Sequence, residues 1–105
     1  MSWYAARNVY HFGSKNDGKN IFEERIVSFE AEDIDEAHLK AAKEALQYSD
    51  DNGFDVHDQQ LIYKQDGKSL VDGYEIWSEL FEAYKSLNEF YLERYQNYIY
   101  NAKED

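Results

Sequence analysis

A chain of 105 residues forms a single domain, 1–105, with room for one hydrophobic core. Its 22 Asp and Glu against 11 Lys and Arg give a formal charge of −11, which disfavours binding to nucleic-acid phosphates and to anionic membranes. The absence of Cys excludes disulfides, thiolate metal ligands and thiol catalysis. Because we find no apolar run of membrane-spanning length and no signal-like N-terminus, we expect a soluble cytoplasmic protein.

Two strands are predicted at the start of the chain. Trp3 to Phe12 and Ile21 to Ala31 are rich in aromatic and β-branched residues, and residues 13–20 between them have the Gly, Asn and Asp of a hairpin connection. Alternation in the second run is imperfect, because one parity holds Ile21, Glu23, Arg25, Val27 and Phe29. This pattern predicts a bulge or a sheet that is covered partly on both faces.

A helix follows, with clear start and stop signals. Asp33 and Glu36 have the spacing of a capping box, and Gly53 suits the left-handed position at the helix end. Helical spacing places one set of residues on a single face: Ile34, Ala37, Ala41, Ala45 and Tyr48. The alanines in this set predict close approach of the helix to a sheet.

The pattern after the first helix is less regular. Phe54 to Lys64 is predicted as a third strand, although its residues 55–60 are unusually polar. Residues 65–68 have the composition of a turn. Ser69 to Val71 is a candidate for a short fourth strand before a turn at Asp72 and Gly73.

A long C-terminal helix is predicted from about Glu75 to Ala102, a stretch without Gly or Pro. Helical spacing aligns one apolar seam: Leu80, Tyr84, Leu87, Tyr91, Tyr95 and Tyr98. The apolar sector is wider than one core-facing side requires, so the helix is either sandwiched or meets another molecule. We expect Tyr84 and Tyr91 in the core, whereas core and interface are equally expected for Tyr95, Tyr98 and Tyr100.

These elements predict an α+β fold in the order β-β-α-β-(β)-α. It consists of a small antiparallel sheet of three to four strands, one packed helix and the long C-terminal helix. Residues 30–58 hold 2 basic and 10 acidic groups, a net charge of −8. Two interpretations stay open here: a solvated surface with helix N-terminal acids, or an electronegative surface that steers a basic partner.

No catalytic or metal-binding motif is recognised. Asp50 to Gly53 begins like a calcium loop but places its Gly fourth rather than sixth, and His11, His38 and His57 fall in three different elements. No serine lies in a nucleophile elbow, and no phosphate-binding glycine loop is present. We therefore expect no enzyme activity, no metal and no cofactor. A deep pocket at Trp3 or Trp77 with a raised carboxylate pKa would favour an enzyme or small-ligand site instead.

Four segments resemble, as an ordered set, a bacterial family of unknown function, family 4288: Trp3-Tyr-Ala-Ala6, Glu23-Glu-Arg-Ile-Val27, Asp35-Glu-Ala37 with Ala41-Ala42, and Asp72-Gly-Tyr-Glu-Ile76. The resemblance covers about residues 3–78. It implies a small antiparallel sheet carrying one helix and no assigned activity. The tyrosine-rich segment after Ser78 looks like an addition to the family pattern.

These observations favour an acidic protein-binding module, most concretely an immunity protein or antitoxin that neutralises a bacterial toxin by occluding a basic surface. The residues expected to contact this basic protein partner are Asp50, Asp51, Asp55 and Asp58 for charge, with Tyr95 and Tyr98 for packing. The alternative is a non-catalytic structural or assembly domain that forms a homodimer through its C-terminal helix. The two functions are compatible, and neither involves nucleic acid or membrane.

Overall fold

A computed structural model of the chain describes residues 1–67, 72–73 and 75–99. It has the predicted α+β class, with an antiparallel sheet of four strands and two helices. The elements in chain order are β1 (Ser2–Ser14), β2 (Asn20–Ala31), α1 (Ile34–Asn52), β3 (Asp55–Val56), β4 (Leu61–Lys64) and α2 (Leu87–Tyr91). A π-helical turn, Leu92–Gln96, continues α2 directly.

Strand β1 is the centre of the sheet. Strand β2 pairs antiparallel with it along one edge, from Ser2 opposite Ala31 to Ser14 opposite Asn20. The other edge is shared: β3 pairs at Tyr10 and His11, and β4 pairs along residues 4–7. The prediction of one continuous strand over Phe54 to Lys64 is therefore wrong, because residues 57–60 leave the ladder between two short strands. Residues 69–71, the proposed fourth strand, lie outside the described residues.

Two of the four charged residues in the second run, Glu23 and Arg25, face the helix rather than solvent. Burial alternates regularly along β2, and the half-buried side includes Glu23 and Arg25. Their partners are on α1, as described below, which explains why this face is not uniformly apolar. The register shift lies in β1 instead, between His11 and Gly13. A bulge is present as predicted, but on the neighbouring strand.

Helix α1 begins and ends where the sequence predicts. The Asp33 carboxylate accepts from the Glu36 amide at 2.8 Å, and the Glu36 carboxylate accepts in turn from the amide of Glu32 at 3.2 Å. Gly53 closes the other end at φ 70°, a left-handed conformation that favours glycine. These caps satisfy amides and carbonyls that a bare helix end leaves unpaired.

The predicted alanine face of α1 is its contact with the sheet. Ala37, Ala41 and Ala45 are buried, and the core cluster combines Ala37 with Tyr4 and Ala31. Ile34, predicted on the same face, is 48% exposed, because burial on α1 starts one turn further in, at Ala37. The small side chains allow the helix backbone to approach the strands closely.

We expect Ala41→Leu to lower the free energy of unfolding by about 1–3 kcal/mol, because the added atoms have no space between helix and sheet. Ala42→Leu is the matched control, since Ala42 is the next residue along α1 and is exposed. Chemical denaturation monitored by circular dichroism measures both variants. Equal stabilities for the two would contradict close packing at Ala41.

A polar cluster joins β2 to the C-terminal half of α1. Arg25 makes a bidentate pair with Glu44 at 2.7 and 2.8 Å, and its guanidinium lies 3.7 Å from the centre of the Tyr48 ring. The Tyr48 hydroxyl donates to Glu23 at 2.7 Å, which raises the pKa of that phenol. Burial raises the pKa of Tyr10, whose ring packs edge-on against Tyr48. Both phenols are therefore favoured in the neutral form by the fold.

Stability is accordingly expected to fall at alkaline pH. A phenol whose pKa is higher in the folded state than in the unfolded state stabilises the fold. This contribution is complete below the unfolded pKa of about 10, and it is lost as pH rises through the folded pKa. We expect Tyr48→Phe to reduce this loss, because it removes one of the two linked groups. Unfolding midpoints measured between about pH 9 and pH 11.5 test this, with Tyr84→Phe as the control for an exposed phenol. A Tyr48→Phe profile parallel to that of the native chain would contradict the linkage.

The predicted long C-terminal helix is wrong. Residues 75–83 have no regular secondary structure, and α2 begins only after Ser86, which forms a complete capping box with Glu89. The preceding segment is held to the sheet by side-chain contacts instead: Glu79 pairs with Arg7, Trp77 lies 5.4 Å from the Arg7 guanidinium, and Tyr63 donates to Glu75 at 2.7 Å. These tertiary contacts hold the segment in a non-helical path that helical spacing does not predict.

The expected burial of this segment is wrong as well. Tyr84 is fully exposed and Tyr91 is 49% exposed, so neither belongs to the core. The helical segment reaches only from residue 87 to residue 96, and none of its described residues is buried. Tyr100 lies outside the described residues.

Candidate partner-binding site

Four aspartates lie together around the connection from α1 to β4. Asp50 and Asp51 are on the last turn of α1, Asp55 is in β3, and Asp58 follows in the connection to β4. All four are exposed. We call Asp50, Asp51, Asp55 and Asp58 the acidic surface. The sequence predicts each of them as a partner-binding residue, and the fold gathers them within a few residues of the Gly53 turn.

No Lys or Arg of the described residues lies within ion-pair distance of the acidic surface. Asp51 accepts a hydrogen bond from Gln47 at 2.8 Å, and Asp58 lies 3.4 Å from the His57 ring. Some acidic residues elsewhere pair with a basic residue, as Glu79 does with Arg7 and Glu44 with Arg25, whereas others, such as Asp35, do not. The negative charge of this surface is therefore not neutralised by a described Lys or Arg, and it is accessible to solvent or to a partner.

The position of Asp50 and Asp51 is unfavourable for the helix itself. The C-terminal end of a helix carries partial negative charge, so a carboxylate there costs stability and a basic residue contributes it. The last turn of α1 contains no basic residue. Asp35 and Glu36, on the first turn, are by contrast favourably placed. The helix dipole therefore accounts for the acidic residues at the start of α1 and not for those at its end, where solubility or partner binding remains as the explanation.

Residues 57–60 form a large bulge beside the acidic surface. Tyr10 pairs with Val56 and Arg7 with Leu61, so four residues lie against two residues of β1, Asn8 and Val9. The amide of His57 donates to the carbonyl of Val9 at 2.9 Å. Bulges of this kind re-aim side chains and are common next to functional sites.

Hydrogen bonds hold the bulge against α1. Asn8 donates from Nδ2 to Gln60 Oε1 at 3.1 Å, and Gln60 donates from Nε2 to Nδ1 and to the carbonyl of His38, both at 3.1 Å. The amide of Gln59 donates to His57 Nδ1 at 3.0 Å. The sequence alone did not predict this bulge. The signal for it was the run of polar residues 55–60 inside a predicted strand.

An open groove of about 760 Å³ separates α1 from the bulge. Its α1 side is a stripe at helical spacing, Asp35, Leu39, Ala42 and Leu46. Leu39 is 74% exposed and Leu46 is 58% exposed. Asp50 lies one turn beyond Leu46, so this stripe leads from the groove to the acidic surface.

The two predicted tyrosines lie elsewhere. Tyr95 packs against Phe90 and Tyr91, and its neighbour Arg94 lies 3.6 Å from Glu24 of β2. The contacts described for Tyr95 and Arg94 are with the C-terminal segment and with β2, and none of them is with the four aspartates. Tyr98 is 78% exposed near the end of the described chain.

The described residues offer little for other kinds of site. They contain no group of three or more His, Asp or Glu side chains arranged to hold a metal ion. Neither Trp3 nor Trp77 lines the groove, and Trp77 instead packs beside Tyr63 with ring centres 5.9 Å apart. No described helix has the length and apolar character needed to cross a bilayer.

The fold and this surface define a small α+β domain with one helix packed on an antiparallel sheet. The chain belongs to the family described as Domain of unknown function (DUF4288), whose model matches residues 3–88. The match includes the sheet, α1, the bulge and all four aspartates, and it extends beyond Ser78 into the start of α2. No curated protein and no solved structure matches the chain.

Proposed function

We propose that this protein is a non-catalytic binding module whose acidic surface binds a basic protein, most concretely as an immunity protein or antitoxin that occludes a toxin's basic surface. One observation carries the proposal: four exposed carboxylates have no Lys or Arg counterion among the described residues, and two of them occupy a helix end that disfavours them. Because Asp50 and Asp51 are unfavourably placed for the stability of α1, a binding role explains these two carboxylates better than a stabilising role does.

The physical basis is electrostatic complementarity. A cluster of one sign attracts an oppositely charged surface over about a Debye length, roughly 8–10 Å at physiological salt, and speeds its encounter. Carboxylates seated in a basic cleft take the place of the phosphates that such a cleft binds. Rim charges of this kind act mainly on the association rate and on specificity.

The test is affinity capture of the tagged protein from its native host at low salt, followed by stepwise salt elution and mass spectrometry. We expect a basic protein that elutes as salt rises and whose toxic activity is inhibited when the captured pair is reconstituted. Recovery of an acidic or neutral partner that resists salt would contradict the proposal, as would recovery of this protein alone.

A second candidate function, self-association through the C-terminal segment, is favoured by its exposed apolar residues. The most exposed are Leu80, Tyr84, Leu87 and Tyr98. The chain has 8169 Å² of accessible surface, whereas a folded monomer of 12.5 kDa is expected to have about 6,200 Å². Its radius of gyration is 16.2 Å, against about 13 Å for a compact chain of this length.

Sedimentation velocity over a range of concentrations tests self-association. A dimer that dissociates when Leu80 and Leu87 are replaced by Glu would support assembly through this segment. A monomer at all concentrations would exclude it. Either result is compatible with partner binding through the acidic surface, which consists of different residues.

A further inference from the structure

The groove between α1 and residues 57–60 has two chemically different walls. Leu39, Ala42 and Leu46 form an apolar wall on α1, and the bulge supplies a polar wall that includes Gln60 and Asp58. None of the groove's lining residues is Lys or Arg. A surface with exposed leucines beside carboxylates matches a segment that combines aliphatic and cationic groups.

Two side-chain amides of the groove are already used within the protein. Asn8 is 7% exposed, and its Nδ2 is committed to Gln60, whose Nε2 is committed to His38. Besides the side-chain amide of Gln59 and the imidazole of His38, the groove offers two carboxylates that have no Lys or Arg partner among the described residues, those of Asp35 and Asp58. A ligand that supplies several N–H donors and positive charge complements these groups, as an arginine guanidinium does.

Two features favour a peptide segment over a free cation. The groove volume of about 760 Å³ exceeds what one basic side chain fills. His38 accepts at Nδ1 from Gln60, so the neutral ring carries its proton on Nε2, a donor suited to a peptide carbonyl. The groove is also continuous with the acidic surface through Asp58, where the proposed partner binds.

We infer that this groove binds an arginine-containing segment of the basic protein partner, with the aliphatic atoms of the segment along Leu39 and Leu46 and its guanidinium groups at the carboxylates of Asp35 and Asp58. The inference rests on the proposed function and deepens it by naming which part of the partner is bound and where. The acidic surface attracts the partner, and the groove fixes its orientation.

The probe is the acetylated and amidated tripeptide Arg-Leu-Arg, with citrulline-Leu-citrulline as its uncharged control of the same shape. Titration into the ¹⁵N-labelled protein, followed by amide chemical shifts, reports the site directly. We expect saturable shifts at residues 38, 46 and 57–60 with the arginine peptide, a Kd of about 1 mM or tighter, and at least tenfold weaker binding of the citrulline peptide. Equal binding of both peptides, shifts centred elsewhere, or no shifts would overturn the inference.

Two variants keep the test independent of folding, because both sites are exposed. Leu46→Ser is expected to weaken peptide binding about tenfold and Asp58→Asn about threefold. Leu80→Ser, on the C-terminal segment, and Glu30→Gln, at the far end of β2, are the matched controls and should have no effect. Unchanged binding by Leu46→Ser and Asp58→Asn would place the peptide outside the groove.

The two proposals fail in different ways. In the first case, charge reversal of Asp50 and Asp51 abolishes capture of the protein partner, but the groove variants change neither peptide binding nor partner binding. Only the groove inference then fails. If charge reversal leaves partner capture unchanged, the proposed function fails even where the arginine peptide binds.

Discussion

Tyr10→Ala is expected to lower the free energy of unfolding by about 3–5 kcal/mol, the largest stability change among the substitutions considered. Tyr10 is 1% exposed and is one of the two largest fully buried side chains of the described residues. Its ring lies 4.9 Å from that of Tyr48, so truncation leaves a cavity under α1 and removes an aromatic contact. A domain of this size has about 5–15 kcal/mol in total, so this loss removes a large share of its stability.

The control is Tyr10→Phe, which keeps the ring and removes only the hydroxyl. We expect it to stay within about 1 kcal/mol of the native stability, because the packing is retained. Urea unfolding followed by tryptophan fluorescence and circular dichroism measures both variants. A loss below about 1 kcal/mol for Tyr10→Ala would mean that the ring is not part of the core.

Charge reversal of the acidic surface is expected to have the largest effect on binding. The double variant Asp50→Lys and Asp51→Lys should weaken the complex with the basic partner by about 100-fold, because two attractive charges become repulsive. The same variant should fold at least as well as the native chain. Lysine at the C-terminal end of α1 is favoured by the helix dipole, by about 0.3–1 kcal/mol per residue.

The matched control is Glu30→Lys with Glu32→Lys, which changes the net charge by the same amount. Both residues are exposed and lie at the end of β2 that pairs with Ser2 and Trp3, whereas β3 pairs with Tyr10 and His11 at the other end of β1. Binding should fall only slightly in this control. Equal losses in the two double variants would indicate an effect of net charge alone and would contradict a local contact.

Local signals in the sequence were sufficient to predict the hairpin and α1. Asp33 and Gly53 act through contacts within a few residues and perform the predicted capping roles. The Glu36 side chain accepts from the amide of Glu32 rather than from that of Asp33, so the predicted capping box is not completed. The alanine spacing likewise encodes the packed face of α1, because burial of a helix face depends mainly on periodicity. The four aspartates could be proposed as partner-binding residues because acidic residues concentrate in one stretch of the chain.

The C-terminal segment could not be predicted, because tertiary contacts override its helical spacing. Glu79 and Trp77 interact with Arg7, which lies more than seventy residues earlier in the chain. Nothing in the local pattern of residues 75–83 encodes that pairing. The Ser86 capping box was a readable start signal, but it was hidden within a longer apolar repeat.

The groove was missed for a related reason. Its walls come from α1 and from the bulge, and it exists only because residues 57–60 leave the sheet against Asn8 and Val9. A bulge of this length depends on the register of two separate pairings, which a single strand pattern does not contain. The polar residues 55–60 indicate that this stretch does not form a regular strand. They do not indicate where its side chains point.

The most direct test of the central claim is calorimetric titration of the purified captured partner with this protein across a salt series. If the acidic surface is the contact, we expect a saturable complex whose Kd rises about tenfold or more as NaCl increases from about 50 mM to about 500 mM, with the partner's toxic activity lost at saturation. A Kd that does not change across the same salt series would contradict binding through the acidic surface.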